Sequence, residues 1–516
     1  MRRMGDSSSR QIRFGVVFSY VNIGVQVIVS LLYTPFLIRM LGQREYGLFS
    51  IAFSAIGFFS ILDMGLGNAN IRYTALYRAS GEADKEKTLH GTLFMVYSVI
   101  GMVGFLLGMV FLANIERFFG NNMSGAEVDR LKSMFLCIIV SLSISFPLSV
   151  FGCIIRGYER FVFAKITDLL RIVLIPLLSV GLLLSGYRSV AVIAAISAMS
   201  VVLLLINAIY CLRALKIKLD FKGFDLGFLK EILTFSFFVF LGTLAYNVDN
   251  SSNQFVLGIV SGSVMVSVYA LAYNLVINFT TLSLSVSAVF LPAITKIPHD
   301  ENRFSRYNGY FIAIGRLQFY ILALFYLGFV FFGRQFISLW AGPGFEDSYY
   351  VSLILMSTLG IYLVQTAGKS ILEAMNQHQF RSVMHLLMCV VNIALSFWLS
   401  SRYGAIGAAV SLALVWLLGF GVTLNIFYAK KIRLRIGDFW IQLLKIVPSF
   451  IPALAFAFLY LRFHNADTWL NLGLGAVLFA LVYCLGIVLF SFNEFEKQTI
   501  LEPVLRRISL KRKILS

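Results

Sequence analysis

An all-α, polytopic membrane protein is the fold class this sequence predicts, and three observations carry the prediction. Apolar residues fill 59% of the 516 positions and charged residues only 13%, with a mean hydropathy of +0.83. Apolar runs long enough to cross a hydrocarbon core of about 30 Å recur from end to end, about fourteen of them. Lys and Arg gather in alternate loops between those runs. A soluble multidomain protein is excluded, because no such chain could hide this much apolar surface. The net charge of +18 would suggest nucleic acid in a soluble chain. Here the basic residues lie between membrane runs, where they orient the protein, and no nucleic-acid partner is expected.

The runs lie at 14–38, 48–66, 92–113, 134–155, 166–185, 190–210, 234–260, 264–291, 311–332, 349–372, 382–400, 405–428, 443–461 and 470–492. The first follows Arg2, Arg3, Arg10 and Arg13 like a signal peptide, but it is too long and lacks a small-residue cleavage site, so it stays as a helix. Arg72, Arg78, Lys85, Lys87, Arg156, Arg160, Arg213, Lys216, Lys296, Arg303, Lys430, Lys431 and the tail from Lys497 to Lys513 fall on one side of the membrane. Far fewer, among them Arg39, Arg44, Arg117, Arg188, Arg334 and Arg402, fall on the other. The bias places both termini in the cytoplasm.

An internal repeat divides the chain. Gly47-Leu-Phe-Ser-Ile-Ala-Phe-Ser54 at the second run matches Ser267-Val-Tyr-Ala-Leu-Ala-Tyr-Asn274 at the eighth, and Ser185-Gly-Tyr187 before the sixth matches Ser401-Arg-Tyr403 before the twelfth. Runs one to six therefore repeat as seven to twelve, in parallel orientation because the offset is an even number of crossings. The expected organisation is a cytoplasmic N-terminus (1–13), an N-lobe (14–210), a cytoplasmic linker (211–233), a C-lobe (234–428), a last helix pair (429–492) and a basic tail (493–516).

The seventh run holds the most polar stretch at membrane depth, Thr243-Leu-Ala-Tyr246-Asn247-Val-Asp249-Asn250-Ser-Ser-Asn253-Gln254. An unpaired amide costs about 2–7 kcal/mol in hydrocarbon, so these groups must face protein or water. At helical spacing Thr243, Asn247, Asn250 and Gln254 form one stripe, and Tyr246, Asp249 and Asn253 the next. The first run carries Tyr20, Asn22, Gln26 and Ser30, and the eighth Tyr273, Asn274, Asn278 and Thr281. These wet faces recur in related places of the two lobes, as a central vestibule requires. The other reading makes the amides interhelical glue, worth about 0.6 kcal/mol each.

Charged residues at depth are few: Asp63, Asp168, Arg171, Asp249, Arg316, Lys369 and Glu373. Asp168 with Arg171 and Lys369 with Glu373 are spaced to satisfy each other on one helix face. Arg316 lacks a nearby acid and either snorkels to the cytoplasmic edge or meets an anionic substrate. Asp249 also lacks a local base. It is the candidate coupling residue for H+ or Na+, against a structural hydrogen-bonding role.

The chain has no GxxxxGK[ST] loop, and its five histidines follow no metal-ligand pattern, so neither a metal nor a catalytic residue is expected. Its five cysteines read as small buried hydrophobes.

In Leu37-Ile-Arg39-Met-Leu-Gly42-Gln-Arg-Glu45-Tyr46-Gly47 and Leu62-Asp63-Met-Gly65-Leu-Gly67-Asn68-Ala-Asn70-Ile-Arg72 the chain resembles the polysaccharide-export family of Wzx-type oligosaccharide-lipid flippases. Gly152-Cys-Ile-Ile-Arg156-Gly157-Tyr and Tyr403-Gly404-Ala-Ile-Gly407 look like further family positions. Multidrug antiporters and lipid II flippases belong to the same superfamily. The resemblance implies two lobes of a bacterial inner-membrane exporter, not an enzyme. It implies an undecaprenyl-diphosphate-linked oligosaccharide, the repeat unit of O-antigen, capsule or exopolysaccharide, moved to the outer leaflet by alternating access. Membrane lipids, and the polymerase and chain-length proteins of the same pathway, are the expected partners; no cofactor is expected beyond a coupling ion. A multidrug antiporter of the same fold is the alternative, and a polymerase or glycosyltransferase a more distant one.

Overall fold

The computed structural model describes residues 2–221, 226–298, 302–375, 379–464 and 466–497, with the side chains of residues 2–17, Tyr20 and Glu373 among those not described. Tyr20, the four N-terminal arginines and the tail beyond residue 497 therefore lie outside the described residues. Among these residues every regular element is a helix. Eleven helices are long and apolar enough to cross a membrane, and a bent pair makes a twelfth crossing.

In chain order these are α1 (Val21–Leu41), α2 (Gln43–Asp63), α3 (Ala83–Ala113), α4 (Gly125–Gly157), α5 (Phe161–Leu184) and α6 (Ser189–Arg213). The helix Leu226–Thr295 is two segments, α7 and α8, divided at Gly262. Then come α9 (Arg303–Ala341) and α10, the pair Asp347–Leu363 and Thr366–Leu372 bent by 41°. Gln379–Lys431 is again two segments, α11 and α12, divided at Gly404. Last are α13 (Ile436–Phe463) and α14 (Trp469–Phe490). With the two divided helices counted twice and the bent pair once, the described residues hold the fourteen apolar segments the sequence predicts.

The breaks carry the repeat. Gly42 between α1 and α2 and Gly262 between α7 and α8 both sit at φ 79°, five residues before Gly47 and Ser267, where the matching motifs begin. Gly186 before α6 and Gly404 before α12 also have positive φ. A left-handed residue ends the helical ladder without the Cβ clash any other side chain would bring.

Elsewhere local chemistry sets the ends. Ser124 and Glu127 form a capping box at the start of α4, and Thr468 caps α14. Val103, Leu106, Leu107 and Val110 on α3, and Leu481, Leu485 and Leu489 on α14, are exposed large hydrophobics at helical spacing. They form the stripes that acyl chains solvate.

The chain packs as two compact units, Met1–Leu275 with His378–Val415, and Val276–Gln377 with Trp416–Ser516. In the first, α4 packs against α2, α3 and α6, and α1 lies on α5. Leu66, Tyr97, Val150 and Ile154 belong to its core. In the second, α9 packs against α10, α13 and α14. The Phe311 and Phe439 rings lie 4.4 Å apart there, and Tyr483 donates a 2.7 Å hydrogen bond to the Tyr320 carbonyl.

Candidate functional site

The polar stripes of α7 part company in the first unit. Thr243 and Tyr246 are exposed, Tyr246 at 62%; Asn247, Asn250 and Gln254 are half-buried; Asp249 and Asn253 are buried. A buried amide must be paired, and Asn253 is, through both its amide groups. Asn253 donates to the Tyr269 hydroxyl (3.0 Å), Tyr273 donates to Asn250, and the two tyrosine rings stack 5.8 Å apart on α8. Asn392 of α11 donates to Asn253 (3.4 Å) and accepts from Ser411 of α12 (3.1 Å). Ser30 of α1 donates to Asn274 (2.9 Å), and Asn22 donates to the Lys165 carbonyl of α5 (3.1 Å). Asn253 and Asn22 thus bond neighbouring helices, whereas Gln26 and Tyr246 are exposed.

Asp249 meets two side chains that the sequence alone did not single out. The Nε2 of His385 lies 3.7 Å from its Oδ2. Cys389 lies one turn further along α11, and the donor atoms of all three buried residues are within 4.8 Å of one another. The Cys389 thiol donates to the Ala245 carbonyl of α7 (3.1 Å), which holds the two helices together at this level. A signal was available in the sequence: His385, Cys389 and Asn392 stand at i, i+4 and i+7 in an otherwise apolar run, one helical stripe. What that stripe faces is not local information.

Three of the remaining charges, Arg316, Asp168 and Asp63, have protein partners that the structure shows. Arg316, in the second unit, makes a two-pronged pair with Glu496, Nε to Oε1 at 2.7 Å and Nη2 to Oε2 at 2.9 Å. Its Nη2 also donates to the Tyr320 hydroxyl and the Ser491 carbonyl, both at 2.7 Å. The acid that Arg316 lacks on its own helix comes from beyond α14. Asp168 pairs with Lys165 at 3.8 Å. This corrects the expected Asp168–Arg171 pair: the Arg171 side chain is exposed, and Lys165 offers an equivalent i,i+3 geometry. Asp63 accepts from Tyr97. Asn278 and Lys369 are half-buried in the second unit, and the Glu373 side chain lies outside the described residues.

At the Gly262 turn, Ser263 donates to Glu127 of α4 (2.8 Å) and Asn122 donates to the Ile259 carbonyl (2.7 Å). The first unit also has a cleft of about 560 Å³ lined by Phe58, Phe111, Phe135, Phe255 and Phe397, with Ser252 its polar member. Such a wall suits acyl chains rather than sugars, which need hydroxyl and amide partners.

Comparison with known proteins gives this arrangement its context. Residues 14–298 match the family described as "Polysaccharide biosynthesis protein". A Shigella flexneri protein named "Putative O-antigen transporter" is 21% identical over 405 residues, 77% of this chain and 92% of its own length. A lipid II flippase, MurJ, in an inward closed conformation, superposes with a TM-score of 0.72 at 16% identity, covering 92% of this chain and 98% of that one. An inward-facing multidrug resistance transporter of the MATE family superposes with 0.59 at 15% identity, covering 82% and 98%. These structures share the two-lobed pseudo-twofold fold, and the named relatives are transporters and flippases rather than enzymes. With more than half of its length matched to the family, this multi-pass membrane protein belongs to the polysaccharide biosynthesis protein family.

Proposed function

We propose that the chain moves an undecaprenyl-diphosphate-linked oligosaccharide from the inner to the outer leaflet of the bacterial inner membrane, by alternating access, with Asp249 as the coupling residue and both termini in the cytoplasm. The observation that carries the reading is the polar α7. It combines a buried carboxylate beside an imidazole with a half-exposed amide stripe, at a depth where hydrocarbon would penalise both. Family membership supports the glycan, since a diphosphate–sugar head crosses a bilayer only if polar groups replace water along its path.

Asn247, Asn250, Tyr246, Gln26 and Asn274 are the residues of the first unit we assign to the sugar. His385 partners Asp249, and a proton shared between them is the simplest coupling charge. One charge crossing 100 mV contributes about 2.3 kcal/mol. Arg316 serves the protein rather than the diphosphate, because Glu496, Tyr320 and Ser491 already take up its donors.

The test uses proteoliposomes carrying a polyprenyl-diphosphate oligosaccharide on one leaflet and scores its exposure to a glycosidase on the other. Protein-dependent exposure that falls in Asp249→Asn supports the reading. No exposure under proton, sodium or electrical gradients, with folded protein and several glycans, overturns it. The multidrug likeness favours one other reading, a cation-coupled antiporter. Extrusion of a fluorescent cation that a proton uncoupler abolishes would support that instead.

A further inference from the structure

We propose that Asp249, His385 and Cys389 form a buried three-ligand site for a soft divalent cation of the zinc class, tying α7 to α11. The site rests on its own donor set; because two of its members are the coupling pair, an ion bound here displaces their shared proton, whatever the substrate.

Three kinds of donor converge here: a carboxylate oxygen, an imidazole nitrogen and a sulfur, all buried and all within 4.8 Å of one another. Tetrahedral zinc holds such atoms at about 2.0–2.3 Å. The ligand atoms of one ion then stand roughly 3.2–3.7 Å apart. The Asp249–His385 pair is already at 3.7 Å. The thiol, which now donates to the Ala245 carbonyl, gives up that hydrogen bond to join the pair. His385 and Cys389 reach the same point because i and i+4 share a helix face.

The donor chemistry selects the ion. Imidazole and thiolate are borderline-to-soft ligands that favour zinc and its neighbours, whereas sodium, magnesium and calcium prefer all-oxygen sites. Charge argues the same way. A lone buried carboxylate carries −1, but Asp249 and the Cys389 thiolate together cancel a divalent ion, and a neutral site is far cheaper to bury. The balance is closed by protons released to bulk water: the Cys389 thiol gives up its own as the sulfur–metal bond forms, and any proton held between Asp249 and His385 leaves with it. Three protein ligands leave the fourth position for water. Because the ligands come from two helices, the ion fixes α7 and α11 in one register.

The experiment titrates the purified full-length protein in detergent with Co2+ and follows its spectrum. The expected result is one Co2+ per chain, with visible bands of four-coordinate cobalt and an ultraviolet thiolate-to-cobalt band, both removed by added Zn2+. Cys389→Ser, nearly the same in shape, should lose the ultraviolet band, and His385→Gln and Asp249→Asn should each weaken binding by tenfold or more. Zn2+ should raise the unfolding temperature of the unsubstituted chain but not of Cys389→Ser. An ultraviolet band that persists in Cys389→Ser, or no stoichiometric cobalt in folded unsubstituted protein, overturns the proposal. Because no readout involves transport, a failed flippase assay leaves it standing.

Discussion

Arg316 and Glu496, 180 residues apart, form a two-pronged ion pair with exposures of 4% and 2%. A buried pair is weak evidence for net stability, because desolvation offsets most of the attraction, but breaking it leaves one charge unpaired in a poor solvent. Glu496→Gln or Arg316→Ala should therefore cost about 3–5 kcal/mol, read as a fall in unfolding temperature of the detergent-solubilised protein. Arg316→Leu with Glu496→Leu should recover most of the loss. If Arg316→Ala instead keeps its stability and loses affinity for a lipid diphosphate, the arginine belongs to the substrate.

Asp249→Asn keeps the shape of the side chain but removes its charge and turns one oxygen acceptor into an N–H donor. The variant should accumulate in the membrane normally and flip substrate roughly ten times more slowly, within the span of about 1–3 kcal/mol typical of coupling between sites. His385→Gln should act in the same direction. Failure of Asp249→Asn to accumulate would make it a folding residue.

Burial separates two classes of amide on α7. Asn253→Leu and Asn392→Leu each remove a paired group between helices and should lower stability by about 0.6 kcal/mol, with a measurable interaction in the double variant. Asn247→Ala, half-exposed, should leave stability unchanged and slow the flux. Equal stability losses at all three positions would mean that Asn247 is glue as well.

A Cβ on Gly47 would lie 1.9 Å from the Ser263 carbonyl oxygen, a backbone atom that cannot move alone. Gly47→Ala should therefore push α2 from the Gly262 turn, at an overpacking cost of about 1–3 kcal/mol. The measurement is maleimide labelling of Ser263→Cys, expected to quicken when Gly47→Ala is added. Unchanged labelling would show that the two segments do not close on each other in the membrane.

Much of this protein is legible in its sequence because the bilayer reads sequence locally. A window of apolar residues determines whether a segment crosses, so composition alone specifies fourteen segments. The glycine turns that join α1 to α2 and α7 to α8 stand at matching places in the repeat for the same local reason: only glycine takes φ 79° without strain. The polar stretch around Asp249 was visible too, since any amide run is conspicuous in hydrocarbon.

Tertiary structure decided which polar group meets which. His385 and Cys389 come to Asp249 from a helix far along the chain. Glu496 reaches Arg316 from beyond the last crossing. Lys165 rather than Arg171 takes Asp168, because the Arg171 side chain turns outward. Hydropathy and helical periodicity are properties of a short window, whereas an ion pair or a ligand set depends on the packing of helices that no window contains.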